Sequence, residues 1–342
     1  MSQQTNSMTP SPQGIIEMMN AHQRSAILKA GVDLEVFTAI EEGNTTVEAL
    51  SARCNASTRG LRMLLDGLTI LGLLTKDHAG YRLTPDSKAF LVKTSQAYLG
   101  GMTEFMLSPP LYDGFRHLTE AVRKGGTALD EQGTTADAHP EWVNFARAMV
   151  PMMIGPATWI ANYLQQQGRA INKVLDIAAG HGMFGVEIGK VFHDAKIYAL
   201  DWEPVLAVAK ENARAASLED RYEAIVGSAF DVQYGSDYDV ILLANFLHHF
   251  DQETCVALLK NVHAALRPDG RVVTLEFIPN DDRISPASAD FALIMLATTP
   301  AGDAYTFTEL ENMFHTSGFG ASEVHEVPNS KEHVMITSKS KR

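Results

Sequence analysis

Cysteine is scarce and positive charge is in deficit. Only two cysteines occur among 342 residues, Cys54 and Cys255, far apart and in neither metal-like nor redox-like spacing. That excludes a disulfide framework and fits two small core hydrophobes in a reduced, cytoplasmic setting. Lysine and arginine number 28 against 41 aspartates and glutamates, a net charge of −13. Such a surface repels nucleic acid and anionic membranes overall, so neither is expected as a partner. No apolar run is long enough to cross a bilayer. The opening residues 1–14 are polar, lack the basic-then-apolar order of a secretory signal, and read as a tail. No internal repeat or low-complexity block stands out.

What is present organises itself in two styles. The first third reads as helices: residues 15–30 and 32–42 are apolar at helical spacing, with Gly31 between them. Thr45 or Thr46 caps a helix to Cys54, with Glu48 placed to return the capping bond. Ser57 or Thr58 caps another, whose apolar face includes Leu61, Leu64, Leu65, Leu68 and Leu71. Leu73–Thr75 and Tyr81–Leu83, joined by a turn at residues 77–80, make a short hairpin. Three helices and a small hairpin outline a winged helix. Residues 97–167 read as connecting helices, with 125–139 the most loop-like stretch and 141–153 a helix rich in Trp, Phe and Met.

From Lys173 onward strands and helices alternate. Strands are expected at residues 173–178, 196–200, 222–226, 238–244 and 271–277, with a closing hairpin at 322–327 and 332–337. Alternation of this kind means a mostly parallel sheet covered by helices on both faces. The expected fold is α/β: a Rossmann-like, mostly parallel seven-stranded sheet with an antiparallel C-terminal hairpin, plus an N-terminal helical winged-helix domain. The domains are placed at 14–98, 99–165 and 166–342.

Asp176-Ile177-Ala178-Ala179-Gly180-His181-Gly182-Met183-Phe184-Gly185 joins the first strand of this sheet to a helix. Glycines there let backbone approach a ligand, and the helix start offers free N–H donors. Gly180, Gly182 and Gly185 spell G-x-G-x-x-G, and Asp201 ends the next strand, so a nicotinamide dinucleotide must be weighed. Asp176 argues against it, because a carboxylate four residues before Gly180 repels a pyrophosphate yet can accept from an α-amino group. Asp201 accepts ribose hydroxyls in either case. The bland alternative for Asp176 is a helix-capping carboxylate.

By these residues, Leu175-Asp176-x-x-x-Gly180-x-Gly182 and Asp201-Trp202-x-Pro204-Val205, the chain resembles class I methyltransferases. More narrowly it is similar to the plant caffeic-acid and hydroxyneurosporene type of small-molecule O-methyltransferase, over roughly residues 15–340. The resemblance implies S-adenosylmethionine held by Asp176, Gly180, Gly182, Asp201, Trp202, Ser228, Ala229, Phe230 and Asn245. It implies a winged-helix domain that pairs two subunits, hence a homodimer, and places Phe145-x-x-Ala148-Met149 at the junction of cofactor and acceptor. Ser228-Ala229-Phe230 stands where many members carry Gly-Asp-Met-Phe, which weakens the hold on adenine unless Asp231 compensates.

Leu247-His248-His249-Phe250 follows the fourth strand, at the sheet edge where α/β folds bind ligands. A histidine there suits removal of a proton from a phenol-like hydroxyl. The family segment Leu-His-x-Trp assigns that task to His248, with Phe250 replacing the tryptophan. Alternatives are a solvated loop or a metal site with His249 and Asp251, although adjacent side chains diverge and no metal is expected. Glu276, an acid among apolar neighbours at the end of the fifth strand, needs a partner. The imidazole is one, and the family gives a glutamate here the task of supporting it. A second family glutamate is absent, since Ala304 in Thr299-Pro300-Ala301-Gly302-Asp303-Ala304 occupies its place. Met149, Met153 and Met295, with His249, are the candidates for holding the acceptor; methionine adapts to flat rings, although each also suits an ordinary core.

The expected activity is methyl transfer from S-adenosylmethionine to a hydroxyl of a small molecule, aromatic by the resemblance. Two rivals stay open. One is a decarboxylase or rearrangement enzyme that uses the same cofactor without methylating. The other is a DNA-binding ligand sensor, weakened by the mixed charge of Arg59, Arg62 and Asp66 on the third helix.

Overall fold

The computed structural model describes residues 10–136 and 141–339. Most of the polar tail and the end of the loop-like 125–139 stretch therefore lie outside the described residues. The chain divides into two compact units, one through Thr103 and one from Glu104.

In the first unit the break expected at Gly31 falls later. The helix Ala21–Asp33 runs through Gly31, and the turn comes at Glu35, whose φ of 54° is left-handed. Thr46 caps the helix Val47–Arg53 by accepting from Ala49 N at 3.3 Å. The third helical position is therefore Ala49 rather than Glu48, and no reciprocal box forms. Ser57 caps Thr58–Ile70 by accepting from Gly60 N. Leu61, Leu65 and Leu68 of that helix are buried with Phe37, Leu50, Leu74 and Tyr81. Strands β1 (Leu74–Asp77) and β2 (Gly80–Leu83) pair antiparallel as the wing. Arg62 is tied to Asp66 at 3.1 Å, so one of its two candidate phosphate-binding arginines is already engaged.

The second unit is built on strands β3 (Lys173–Ile177), β4 (Lys196–Asp201), β5 (Tyr222–Val226), β6 (Tyr238–Ala244), β7 (Leu266–Glu276), β8 (Phe319–Glu326) and β9 (His333–Lys339). Their order is β5-β4-β3-β6-β7-β9-β8. The strands from β5 to β7 are parallel, and β9 pairs antiparallel with both β7 and β8. Strand β7 begins at Leu266, not Arg271: Tyr238 pairs with Leu266 and Val240 with Arg271, so Pro268-Asp269-Gly270 bulges within the ladder. The predicted 141–153 helix is two, Glu141–Ala148 and Val150–Gln166, broken at Met149.

Register decides where the site falls. Ile177 of β3 lies beside Leu200 and Leu243, so β3, β4 and β6 end level with one another. Residues 178–182, Asp201 and Asn245 all emerge at that one edge. No helix among the described residues is long and apolar enough to cross a membrane.

Candidate active site

A cavity of about 380 Å³ opens at this edge, walled largely by aromatic and methionine side chains. That volume suits a small-molecule site. Ala178, Gly180, Asp201, Trp202, Ser228, Ala229, Phe230 and Asn245 line it, and so do Met149, Met153, Met295, His248 and His249. Phe145 lines it too, whereas Ala148 does not.

Asp201 ends β4 with its carboxylate on the cavity wall. Its oxygens accept from Gly180 N at 2.8 Å and Trp202 N at 2.7 Å, leaving lone pairs for a ligand. Burial pushes its carboxyl up to about 6, against those two bonds. Gly180 takes a left-handed φ of 57°, and an added Cβ would meet nothing nearer than 3.9 Å. The space over it belongs to the cavity, as a cofactor cradle requires. Phe250 packs edge-on against both Phe230 and Phe246, with centroids 4.9 Å and 5.1 Å away, and all three line the cavity.

Two predicted cofactor residues do not reach the cavity. Asp176 is 1% exposed, one residue short of the end of β3, and the glycine turn folds over it. Its Oδ2 accepts from Gly185 N at 3.3 Å, in the first turn of the helix Met183–Val191, which is the helix-capping arrangement. Burial and the neighbouring Asp201 both push its carboxyl well above the usual range. Gly182 also faces inward: a Cβ would strike the Tyr222 hydroxyl and come within 2.9 Å of Ala209. Its φ of 72° and this close approach make it a packing glycine.

His248 is 5% exposed and stands on a short turn, Leu247–His249. Its Nδ1 is hydrogen-bonded to Glu276 Oε2, which leaves Nε2 for the cavity. The other oxygen, Oε1, accepts from Phe246 N at 3.1 Å and Leu247 N at 2.9 Å. One carboxylate thus orients the ring and holds the backbone that carries it. The His248 ring meets Phe291 at 4.8 Å, and Phe291 stacks on Phe277 at 4.0 Å. His249 packs edge-on against Trp142 at 5.1 Å. Burial and the adjacent His248 push its imidazole well below the usual range. Asp251 is occupied as the cap of the helix Gln252–Ala265, accepting from Thr254 N at 2.7 Å. Among the described residues no group of three acids, histidines or cysteines is arranged around a metal.

The segment that lacks the second glutamate supports the histidine turn in another way. Asp303 N donates to His248 O at 3.0 Å, and the Tyr305 hydroxyl donates to Phe250 O at 2.5 Å. Gly302 packs so closely that a Cβ would strike His248 O. Asp303 itself turns away, bonding Ala304 N and pairing with Arg283. Ala304 is fully buried. Installing a glutamate there (Ala304→Glu) is expected to destabilise the fold by roughly 2 kcal/mol or more, by overpacking and by burying an unpaired charge; the melting temperature checks it.

Several lining residues carry no signal in the sequence, among them Trp142, Phe246, Phe277, Phe291 and a buried acid. Glu332, 3% exposed, lines the cavity and accepts from Asn245 Nδ2 at 2.9 Å.

An acid at the end of β4, a histidine beyond β6 and its glutamate partner at the end of β7 meet at the carboxyl edge of an α/β sheet, where such folds bind ligands. Residues 115–320 match the O-methyltransferase domain family and residues 16–93 the O-methyltransferase dimerisation domain. The chain belongs to this family of S-adenosylmethionine-dependent O-methyltransferases, and S-adenosylmethionine is its methyl donor. The nicotinamide reading of the glycine string is thereby set aside. A candidate O-methyltransferase of Nostoc punctiforme, known from a crystal structure, is 50% identical with a TM-score of 0.93, over 97% of this chain and all of that one. The tetracenomycin polyketide synthesis 8-O-methyl transferase TcmO of Streptomyces glaucescens is 26% identical, over 90% of this chain and 91% of its own length. Human N-acetylserotonin methyltransferase, solved with S-adenosylmethionine, shares the fold at a TM-score of 0.84 and 24% identity, over 98% of this chain and 99% of that one.

Proposed function

We propose that the methyl group goes to a ring hydroxyl of a small aromatic acceptor and that His248 is the general base. The observation that carries this is the imidazole fixed through Nδ1 by Glu276, with Nε2 left for a cavity walled by flat and polarizable side chains. Bound S-adenosylmethionine supplies an electrophilic methyl on a positively charged sulfur. Asp201 accepts the ribose hydroxyls, Gly180 with Ser228, Ala229 and Phe230 completes the cofactor's wall, and Asn245 stands between cofactor and acceptor. Met149, Met153 and Met295 hold the acceptor ring, which fixes its hydroxyl against Nε2. Nε2 receives the hydroxyl proton, and Glu276 stabilises the imidazolium that results.

The test is incubation of the enzyme with methyl-labelled S-adenosylmethionine and a panel of phenols, naphthols and hydroxyindoles. Labelled ether and S-adenosylhomocysteine should appear in equal amounts for at least one of them. Failure with every ring hydroxyl overturns the acceptor class.

Asp201 gives a pH dependence. The carboxylate accepts with both oxygens only when ionised, since a proton turns one of them into a donor, and burial holds that proton until about pH 6. Affinity for S-adenosylhomocysteine should be level above that pH. Below it the affinity should fall, approaching about tenfold per pH unit, as titration calorimetry would read; Asp201→Asn should bind weakly and lose this dependence.

The dimerisation domain supports a homodimer. Ile15, Met18 and Ile70 of the first unit are 60%, 78% and 85% exposed, and apolar surface of that kind marks an interface. Light scattering should give twice the 37.4 kDa chain mass. Two buried free cysteines support a reducing, cytoplasmic location.

A further inference from the structure

Glu332 is a buried carboxylate to which the reaction above gives no task. It directly precedes β9, whose first residue, His333, pairs with Glu276 of β7. Side chains alternate along paired strands, so Glu332 falls on the face opposite Glu276 and lines the cavity with Phe277. Glu276 supports His248 from behind, while Glu332 faces the space in front.

Position assigns it to the acceptor. Asp201 lies at the end of β4, and the order β4-β3-β6-β7-β9 puts four strand spacings between it and Glu332, roughly 19 Å. His248 follows β6, midway along that line. The cofactor's ribose belongs at Asp201, which leaves Glu332 beyond the base, just before the strand that pairs with β7, on the wall of the same cavity.

Its partners leave capacity unused. Oε1 accepts from Asn245 Nδ2 at 2.9 Å and Oε2 from Ser330 Oγ at 2.8 Å. Both donors are neutral, and each oxygen has a further lone pair. Asn245 holds a left-handed φ of 53° at the strand end, and its own Oδ1 is buried with no hydrogen-bond partner. Burying a carboxylate against neutral donors alone is costly, and burial pushes its carboxyl above the usual range. A ligand that donates to it relieves that cost.

We propose that Glu332, oriented by Asn245, determines specificity by accepting a hydrogen bond from a second O–H or N–H donor on the acceptor ring, apart from the hydroxyl being methylated. This rests on the methyl-transfer reading above. A hydrogen bond to a buried charge discriminates by roughly ten- to a hundredfold.

The experiment compares dihydroxynaphthalenes and hydroxyindoles with naphthol and methoxynaphthols, for the native enzyme and for Glu332→Gln. Two quantities are read: acceptor Kd by titration in the presence of S-adenosylhomocysteine, and KM against kcat. The native enzyme should bind the donor-bearing rings at least tenfold more tightly. Glu332→Gln should reduce that preference to within threefold, with the loss in Kd and KM rather than kcat, and with S-adenosylhomocysteine still raising its melting temperature. Glu332→Asp, which keeps the charge, should retain part of the preference. An unchanged preference in Glu332→Gln, or a uniform loss of kcat on every acceptor, overturns the assignment and leaves the acceptor class standing. No methylation of any ring by the native enzyme overturns both.

Discussion

Replacing His248 with alanine should lower kcat by about a hundred- to ten-thousandfold, the contribution of a positioned general base, while S-adenosylhomocysteine binds nearly as before. The two effects separate because His248 stands beyond β6 and Asp201 at the end of β4, on different parts of the cavity wall. The turn survives the change, since its backbone is bonded to Glu276, Asp303 and Tyr305 rather than to the imidazole. Steady-state rates with a true acceptor and calorimetry with S-adenosylhomocysteine read the two quantities. A kcat within threefold of the native value would remove His248 as the base.

Glu276→Gln should be nearly as damaging, for a reason that lies in the backbone. Oε1 accepts from two main-chain N–H groups, at Phe246 and Leu247. A glutamine must keep its oxygen there, which turns its amide nitrogen toward Nδ1 of His248. Nδ1 is then forced to accept, the ring proton moves to Nε2, and the base has no lone pair for the acceptor. The expected loss in kcat is about a hundredfold or more, with little change in melting temperature because both N–H groups stay satisfied. The double variant with His248→Ala should be barely worse than either single, since the pair acts as a unit. Glu276→Ala differs: it strands two buried donors, at about 1–3 kcal/mol for each. Near-native activity in Glu276→Gln would reduce the carboxylate to a backbone support.

The pattern of apolar strands and glycine turns was enough to anticipate the sheet, because a parallel sheet needs both. Asp201 and His248 are legible because one ends a strand and the other stands in the short turn beyond one, where register leaves little freedom. Asp176 was harder. Its spacing from Gly180 suits a ligand contact, but the turn closes over it, and only the three-dimensional path puts its oxygen on Gly185 N. Glu332 carried no local signal. It matters through the pairing of His333 with Glu276, between strands over 50 residues apart, and an antiparallel register of that range is not written in either segment. The position of Met149 between two helices was likewise hidden, since residues 141–153 keep one periodicity across the break.

The brace under the histidine turn has a consequence for how this enzyme can change. Asp303 supports His248 through a main-chain N–H, and Gly302 through its bare backbone. Chain length between Thr299 and Tyr305 is therefore more tightly fixed than composition. An alanine can replace an acid at 304 without moving the base, whereas one residue inserted or deleted would carry the donor at 303 out of reach of His248 O. Variation aimed at new acceptors has room in the helix Phe291–Thr298, whose Met295 and Thr298 face the cavity, provided the seven-residue span 299–305 after it keeps its count.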